Sequence, residues 1–194
     1  MKKLYRILYI LILFFSVHSC MFFNLSAAPL QTIEPIRPAE GEIRWEWPVP
    51  GHQYLSARFA DPDYRRHQGI DIVGIEARII DGAAIYPAIG GIINYVGWSP
   101  TAGYSVIIDS DTVIEGQSVI TRYFHLSLLA LTSEDIGRYV DSDTIIGYVG
   151  TTGNSTGPHL HFDSNVKGIY GALVQKDAVD PMLFFAHLDV PMQP

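Results

Sequence analysis

The sequence predicts an all-β protein. Ile, Val, Tyr and Gly are plentiful, while helix-favouring runs of Ala, Glu, Lys and Leu are scarce, a bias toward strands. Short apolar runs alternate with turn residues along most of the chain. No internal repeat, low-complexity tract or helical period longer than two turns interrupts them. With 194 residues, 48% hydrophobic, 12% aromatic and 17% charged, the chain suits one packed domain plus a leader. Its composition is not that of a disordered chain.

Residues 1–28 read as an export leader. Lys2, Lys3 and Arg6 form a positive start, and Ile7 through Val17 supplies an apolar stretch of 11 residues, the pattern of a signal peptide. Crossing a bilayer takes about 20 residues. Extending the run to Leu25 gives a 19-residue anchor, interrupted by His18 and Asn24. Two processing routes stand side by side. One is cleavage after Ser26-Ala27-Ala28, with Pro29 an awkward neighbour; the other is lipidation of Cys20 in the loose lipobox Val17-His18-Ser19-Cys20. Cys20 is the single cysteine, so the folded part has no disulfide and no thiolate metal ligand. The protein is expected in the cell envelope, in the periplasm or on the cell surface. It would touch a membrane only through this leader or a lipid at Cys20.

Removing residues 1–28 takes away three positive and no acidic side chains and moves the formal charge from −7 to −10. An acidic domain without a basic patch is a poor partner for nucleic acid and for an anionic lipid surface.

Residues 29–44 read as a linker, with three prolines between Pro29 and Glu42. The folded domain is expected over 45–188, leaving 189–194 as a C-terminal tail. Trp45-Glu46-Trp47-Pro48-Val49-Pro50-Gly51 opens the domain with core aromatics and prolines suited to an edge. Strands are expected at Leu55–Phe59, Gly69–Val73, Ala83–Ala88, Gly91–Gly97, Tyr104–Ile108, Ser118–His125, Thr144–Val149 and His159–Ser164. Asp109 to Gln117 reads as a polar hairpin connection. Ser127–Leu131, followed by Thr132-Ser133-Glu134-Asp135, suggests a short helical turn and a cap. Pro181–Leu188 suggests a last helical turn, with Leu183, Phe184 and Leu188 packing on the sheet.

Of the seven histidines, His18 lies in the leader, His52 in a loop, and His187 in the last element behind two phenylalanines. The other four sit in richer contexts. The glycine-rich run Gly150-Thr151-Thr152-Gly153-Asn154-Ser155-Thr156-Gly157-Pro158 leads into His159-Leu160-His161-Phe162-Asp163. On a strand His159 and His161 share a face, with Cα atoms roughly 6.5–7 Å apart. Glycine and Asn let the preceding loop bring its backbone close to a ligand. His67 and Asp71 flank Gly69 and can converge on one cation. Thr121, Tyr123 and His125 alternate onto one face of their strand. A metal hydrolase needs three protein ligands and an open position, and imidazole with carboxylate suits Zn²⁺. Nearby imidazoles then transfer protons. These residues supply that inventory without deciding which imidazoles would bind metal.

In this order the motifs resemble the lysostaphin-type (LytM-type) zinc metallopeptidases that cleave peptidoglycan cross-links. The resemblance covers about Trp47 to Phe185. It rests on His67-Gln68-Gly69-Ile70-Asp71-Ile72, Gly82-Ala83-Ala84-Ile85-Tyr86-Pro87-Ala88, Thr121-Arg122-Tyr123-Phe124-His125-Leu126-Ser127, Gly153 through Phe162, and Asp180-Pro181. It implies an antiparallel β-sandwich-like core of the duplicated hybrid motif type, with a groove across one sheet. It implies one Zn²⁺ held by His67, Asp71 and His161, with His125 and His159 as the catalytic pair. Arg66, Tyr123 and Asp163 are then candidates for the substrate groove or for support behind the ligands. The implied activity is hydrolysis of peptidoglycan peptide stems or cross-bridges by zinc-activated water. The alternative is a non-catalytic wall-binding or hydrolase-activating module on the same fold. Two departures bear on the groove rim: Ser105 stands where the family usually has Gly-Asn, and Asp109–Gln117 is longer than the usual hairpin. The stretch before Trp45 is too short for an inhibitory pro-domain of the kind some members carry, so no zymogen latency is expected.

Overall fold

Alternation decides which side chains meet. Along Tyr104–Ile108, Val106 and Ile108 are buried in the core, and Ile107 points the other way. In the next strand Val119, Thr121 and Tyr123 face the core, leaving Arg122 and Phe124 on the opposite side. The structure, a computed structural model, describes residues 45–63, 67–76, 79–114, 117–166 and 178–194. The leader, the linker and Arg66 lie outside the described residues.

Among the described residues eleven strands run in chain order: β1 Tyr54–Ala57, β2 Gly69–Val73, β3 Ala84–Ile85, β4 Gly91–Ser99, β5 Gly103–Ile114, β6 Gln117–Leu126, β7 Leu128–Leu129, β8 Tyr139–Val140, β9 Gly147–Tyr148, β10 Leu160–Val166 and β11 Ala178–Val179. The larger sheet has the order β1-β2-β10-β6-β5-β4-β8, with β11 also pairing β10, and the smaller is β3-β9-β7. Every strand pair is antiparallel. Among the described residues the helical elements are two 3-10 turns, Ser133–Asp135 and Pro181–Leu183. The fold is the all-β, antiparallel one the sequence predicts. No helix among the described residues is long and apolar enough to cross a membrane.

The core joins both sheets. Ile70, Ile72, Val106, Ile108, Tyr123, Leu160 and Phe162 come from the larger sheet, and Ile85 from the smaller, with Ile146 and Val149 flanking it. Trp45 closes one side, stacked on Phe184 at 3.9 Å between centroids and edge-on to Phe162 and Phe185. Its indole N–H donates to Thr112 Oγ1 at 2.8 Å, the partner a buried Trp needs. Tyr123 lies wholly inside, and its hydroxyl accepts the Ala88 N–H at 2.8 Å. Tyr123→Phe is expected to cost about 1–3 kcal/mol, because that buried donor loses its acceptor. Urea denaturation of the two proteins checks it.

Several boundaries differ from expectation. Asp109–Ile114 is strand rather than loop: β5 runs to Ile114 and β6 starts at Gln117, pairing Val113 with Ser118 and Ile114 with Gln117. The polar residues are tolerated there because they lie at a bulge, with the Asp111 carboxylate accepting from the Tyr139 hydroxyl at 2.6 Å. The expected turn at Ser127–Leu131 is instead β7, whose leucines pair with Tyr148 and Gly147. The helical turn follows at Ser133–Asp135, with Thr132 and Asp135 forming a reciprocal capping box. In the last element Phe184 and Leu188 pack on the core, but Leu183 is 68% exposed. Residues beyond 188 are not loose. Val190 is buried, Leu55 donates to the Pro191 carbonyl, and Gln193 donates to the Leu55 carbonyl.

Candidate metal centre

The register of three neighbouring strands builds the centre. Asp71 of β2 lies opposite His161 of β10, and His161 lies opposite Phe124 of β6. Because Ile70, Ile72, Leu160 and Phe162 turn into the core, Asp71 and His161 must turn to the other face. His67 enters from the residues just before β2. Its Nδ1–H donates to the Arg58 carbonyl at 2.8 Å, which leaves Nε2 to face the cluster. That atom is 3.1 Å from Asp71 Oδ1 and 3.2 Å from His161 Nδ1, and the latter two are 2.9 Å apart. All three ligand atoms lie within 4.8 Å of one another.

The back of the cluster is braced. The His161 ring stacks on Phe124, 5.6 Å between centroids at 6°. Its Nε2 lies 3.3 Å from Asp163 Oδ2. Asp163, a candidate for the groove or for support behind the ligands, is fully buried and so stands behind the cluster rather than in the groove. Arg122 grips it through Nε at 2.6 Å and Nη2 at 2.8 Å, and Asn165 donates to it at 2.9 Å. A side chain on Gly69 would run into the Phe162 carbonyl and crowd the Asp163 side chain. Arg122 was missed by sequence reasoning, although its parity within β6 sets it on the site face. A metal-binding imidazole normally has its other nitrogen held by a carboxylate or carbonyl. Both His67 and His161 meet that condition, so the residues fit a metal ion.

His125 and His159 stand beside the cluster with ring centroids 4.9 Å apart. The Nδ1–H of each donates to a backbone carbonyl, Thr152 for His125 at 2.8 Å and Gly157 for His159 at 2.9 Å. Each therefore keeps its lone pair on Nε2, and that of His159 is 3.6 Å from Asp71 Oδ1. The expectation that Thr121, Tyr123 and His125 share a face fails. Between Tyr104↔Leu126 and Val106↔Tyr123 the ladder slips by one residue on β6, and His125 sits there at φ +66°. This bulge turns His125 to the side of Phe124, while Tyr123 stays in the core and does not reach the groove. A cavity of about 210 Å³ opens at the site, walled by Thr101, Ala102, Phe124 and Asn154 together with His67, His125 and His161. Ser105, at the departure from the family pattern, is buried opposite Gly97.

The sequence profile of peptidase family M23 matches residues 65–181 and so spans all five of these histidine and aspartate positions. The chain belongs to peptidase family M23. Among its relatives is the DD-carboxypeptidase/endopeptidase Mpg of Neisseria meningitidis, 31% identical over 105 residues, which are 54% of this chain and 21% of that protein. Lysostaphin of Staphylococcus simulans is 34% identical over 122 residues, 61% of this chain and 21% of that one. The chain thus spans about a fifth of the length of these curated relatives. A zinc-containing peptidase from Vibrio cholerae superposes with a TM-score of 0.54 at 28% identity, covering 72% of this chain and 39% of that one.

The charges of this M23 site follow from its packing. Burial alone would raise the Asp71 carboxyl, but hydrogen bonds from His161 and His67 and the nearby imidazoles hold it well below the usual carboxylate range. Burial disfavours a charged His161, yet Asp163 and Asp71 outweigh it and push that ring from its ordinary 6.5 up to about 9. The charged ring therefore stabilises the metal-free fold fully below about pH 6.5, and this is lost as pH rises through about 9. Chelator-stripped protein is accordingly expected to melt at a lower temperature at pH 9 than at pH 6.5. Ligation requires Nδ1 of His161 to be free of its proton, so metal affinity should rise over the same window. Melting curves with and without metal across that range check both signs.

Proposed function

We propose that this chain is an exported zinc endopeptidase that hydrolyses the peptide cross-links of bacterial peptidoglycan. The observation that carries the reading is the complete inventory on one sheet face. His67 Nε2, Asp71 Oδ1 and His161 Nδ1 converge, and His125 and His159 stand beside them with Nδ1 already committed to carbonyls. A degenerate, hydrolase-activating module would have no need for both ligands and acid–base groups. The names of the relatives, a DD-carboxypeptidase/endopeptidase, lysostaphin and a zinc-containing peptidase, support the substrate and the metal. The leader motif supports export.

Zinc bound by the three ligands supplies Lewis acidity, which polarises a carbonyl and acidifies water. The protein's own groups do the rest. His159 or His125 accepts a proton at Nε2 while its Nδ1–H stays anchored. Asp71 Oδ1 lies 3.6 Å from His159 Nε2, which places that ring beside the metal ligands. A protonated imidazole then stabilises the developing oxyanion and passes its proton to the leaving amine. Burial lowers the pKa of His125 from 6.5 to about 4, so this ring remains a neutral proton acceptor well into mildly acidic solution. Asp163 and Arg122 keep the His161 ring turned so that Nδ1 faces the ligand site. The cavity beside Thr101 and Ala102 suits an extended peptide of small residues.

Purified peptidoglycan digested with the whole chain should release peptides with a newly freed amine and carboxyl, identified by mass, and His159→Ala should release them at least about 100-fold more slowly. Products cut in the glycan, or no products from protein carrying stoichiometric zinc, would refute the reading.

A further inference from the structure

We infer that Thr152 is the positioning residue for His125, holding this ring in its Nδ1–H tautomer and aiming Nε2 into the site. The inference rests on the peptidase reading for what His125 does, but its geometry stands independently. His125 occupies a left-handed conformation at the β6 bulge, φ +66°, which a residue with a side chain adopts only when its surroundings enforce it. Where β5 and β6 separate around that bulge, the ladder is completed by a side chain. The Tyr104 N–H donates to Thr152 Oγ1 at 3.0 Å, and that hydroxyl donates to the Leu126 carbonyl at 2.6 Å. One hydroxyl thus bridges the two strands one step beyond His125. The carbonyl of the same Thr152 accepts the His125 Nδ1–H at 2.8 Å. The backbone N–H of His125 is tied to the Ala102 carbonyl at 2.8 Å.

The surrounding loops leave Thr152 little freedom. Gly103 and Gly153 both sit at positive φ, +66° and +76°. A side chain on Gly103 would strike Thr152, and one on Gly153 would strike the Gly103 backbone. Asn154 N–H reaches across to the Thr101 carbonyl at 2.9 Å. The glycine-rich loop therefore does more than shape the rim. It docks one hydroxyl and one carbonyl of a single residue on either side of the bulge, so the position of the strand end and the orientation of the ring are fixed together.

Thr152→Val keeps the shape and removes the hydroxyl, and Thr152→Ser keeps the hydroxyl. In the full chain loaded with zinc, Thr152→Val should lower kcat by about 10²-fold with KM shifted by less than about threefold, the pattern of a misplaced group. Zinc content should be unchanged, and Thr152→Ser should recover most of the loss. Nitrogen NMR of the histidines should show His125 as the Nδ1–H tautomer in the wild type and a tautomer mixture in Thr152→Val. A Thr152→Val protein with wild-type kcat, or with its loss confined to KM or to the folded fraction, would overturn the inference. If Thr152→Val does not fold, the wild-type spectrum decides: an Nε2–H tautomer for His125 refutes the positioning role. An inactive wild type that still shows the Nδ1–H tautomer and its loss in Thr152→Val would sink the peptidase reading and leave the positioning role standing.

Discussion

Arg122→Met is expected to destabilise the chain by about 3–5 kcal/mol, because it strands the Asp163 carboxylate in a fully buried place without its cation. In a domain of this size such a loss lowers the melting temperature on the order of 10 °C. The guanidinium makes two hydrogen bonds to Asp163 and lies 5.3 Å from the centre of the Phe124 ring that stacks on His161, so its removal loosens the ligand as well. Metal affinity should fall by about 10–100-fold, the usual cost of disturbing the support behind a metal-binding imidazole. Arg122→Met combined with Asp163→Leu separates the two effects. The apolar pair should recover much of the stability, because neither member of the buried Arg122–Asp163 ion pair is left without its partner, while the affinity stays low because His161 has lost the acceptor for Nε2. Calorimetric melting and competition with a chelating dye measure both quantities. A double variant that regains full affinity would show that Asp163 does not orient the ring.

His125→Ala and His159→Ala are each expected to reduce kcat by about 10²–10⁴-fold, the range for general acid–base groups, while leaving metal content at the wild-type level. Their effects should combine to much less than the product of the two, since groups that act as a unit do not contribute additively. His67→Ala or His161→Ala, by contrast, should strip the metal. Elemental analysis beside steady-state rates divides the four imidazoles into two pairs. A His159→Ala protein that loses its metal would move His159 among the ligands.

Much of this arrangement was legible from strand alternation. His159, Leu160 and His161 behave as a strand requires, with Leu160 buried and the two imidazoles on the other side, and Asp71 is parted from Ile70 and Ile72 by the same rule. For His125 alternation misleads. Alternation put it with Thr121 and Tyr123, whereas its φ of +66° and the extra residue in β6 return it to the side of Phe124. A bulge at a non-glycine residue leaves no mark in the local sequence, because it is enforced by distant partners such as Ala102 and Thr152. Arg122 fails to stand out for a related reason. It reads as an ordinary charged residue until register sets it opposite Asp163, and register depends on the whole sheet. The polar run Asp109–Thr112 has the composition of a loop, yet pairing with β4 and β6 holds it extended.

The last residues of the chain do one further thing. β1 ends the larger sheet, and an outermost strand offers a row of unused N–H and C=O groups on which another chain can build. Here the Leu55 amide and carbonyl are taken by Pro191 and Gln193, while the Gln193 side chain is anchored on the Gly74 carbonyl. At the opposite margin β8 is two residues long, too short to template much. Residues 190–193 thus cover the middle of this edge at Leu55, and shortening the chain before Val190 would leave that amide and carbonyl of β1, the neighbour of the strand that carries Asp71, without these partners.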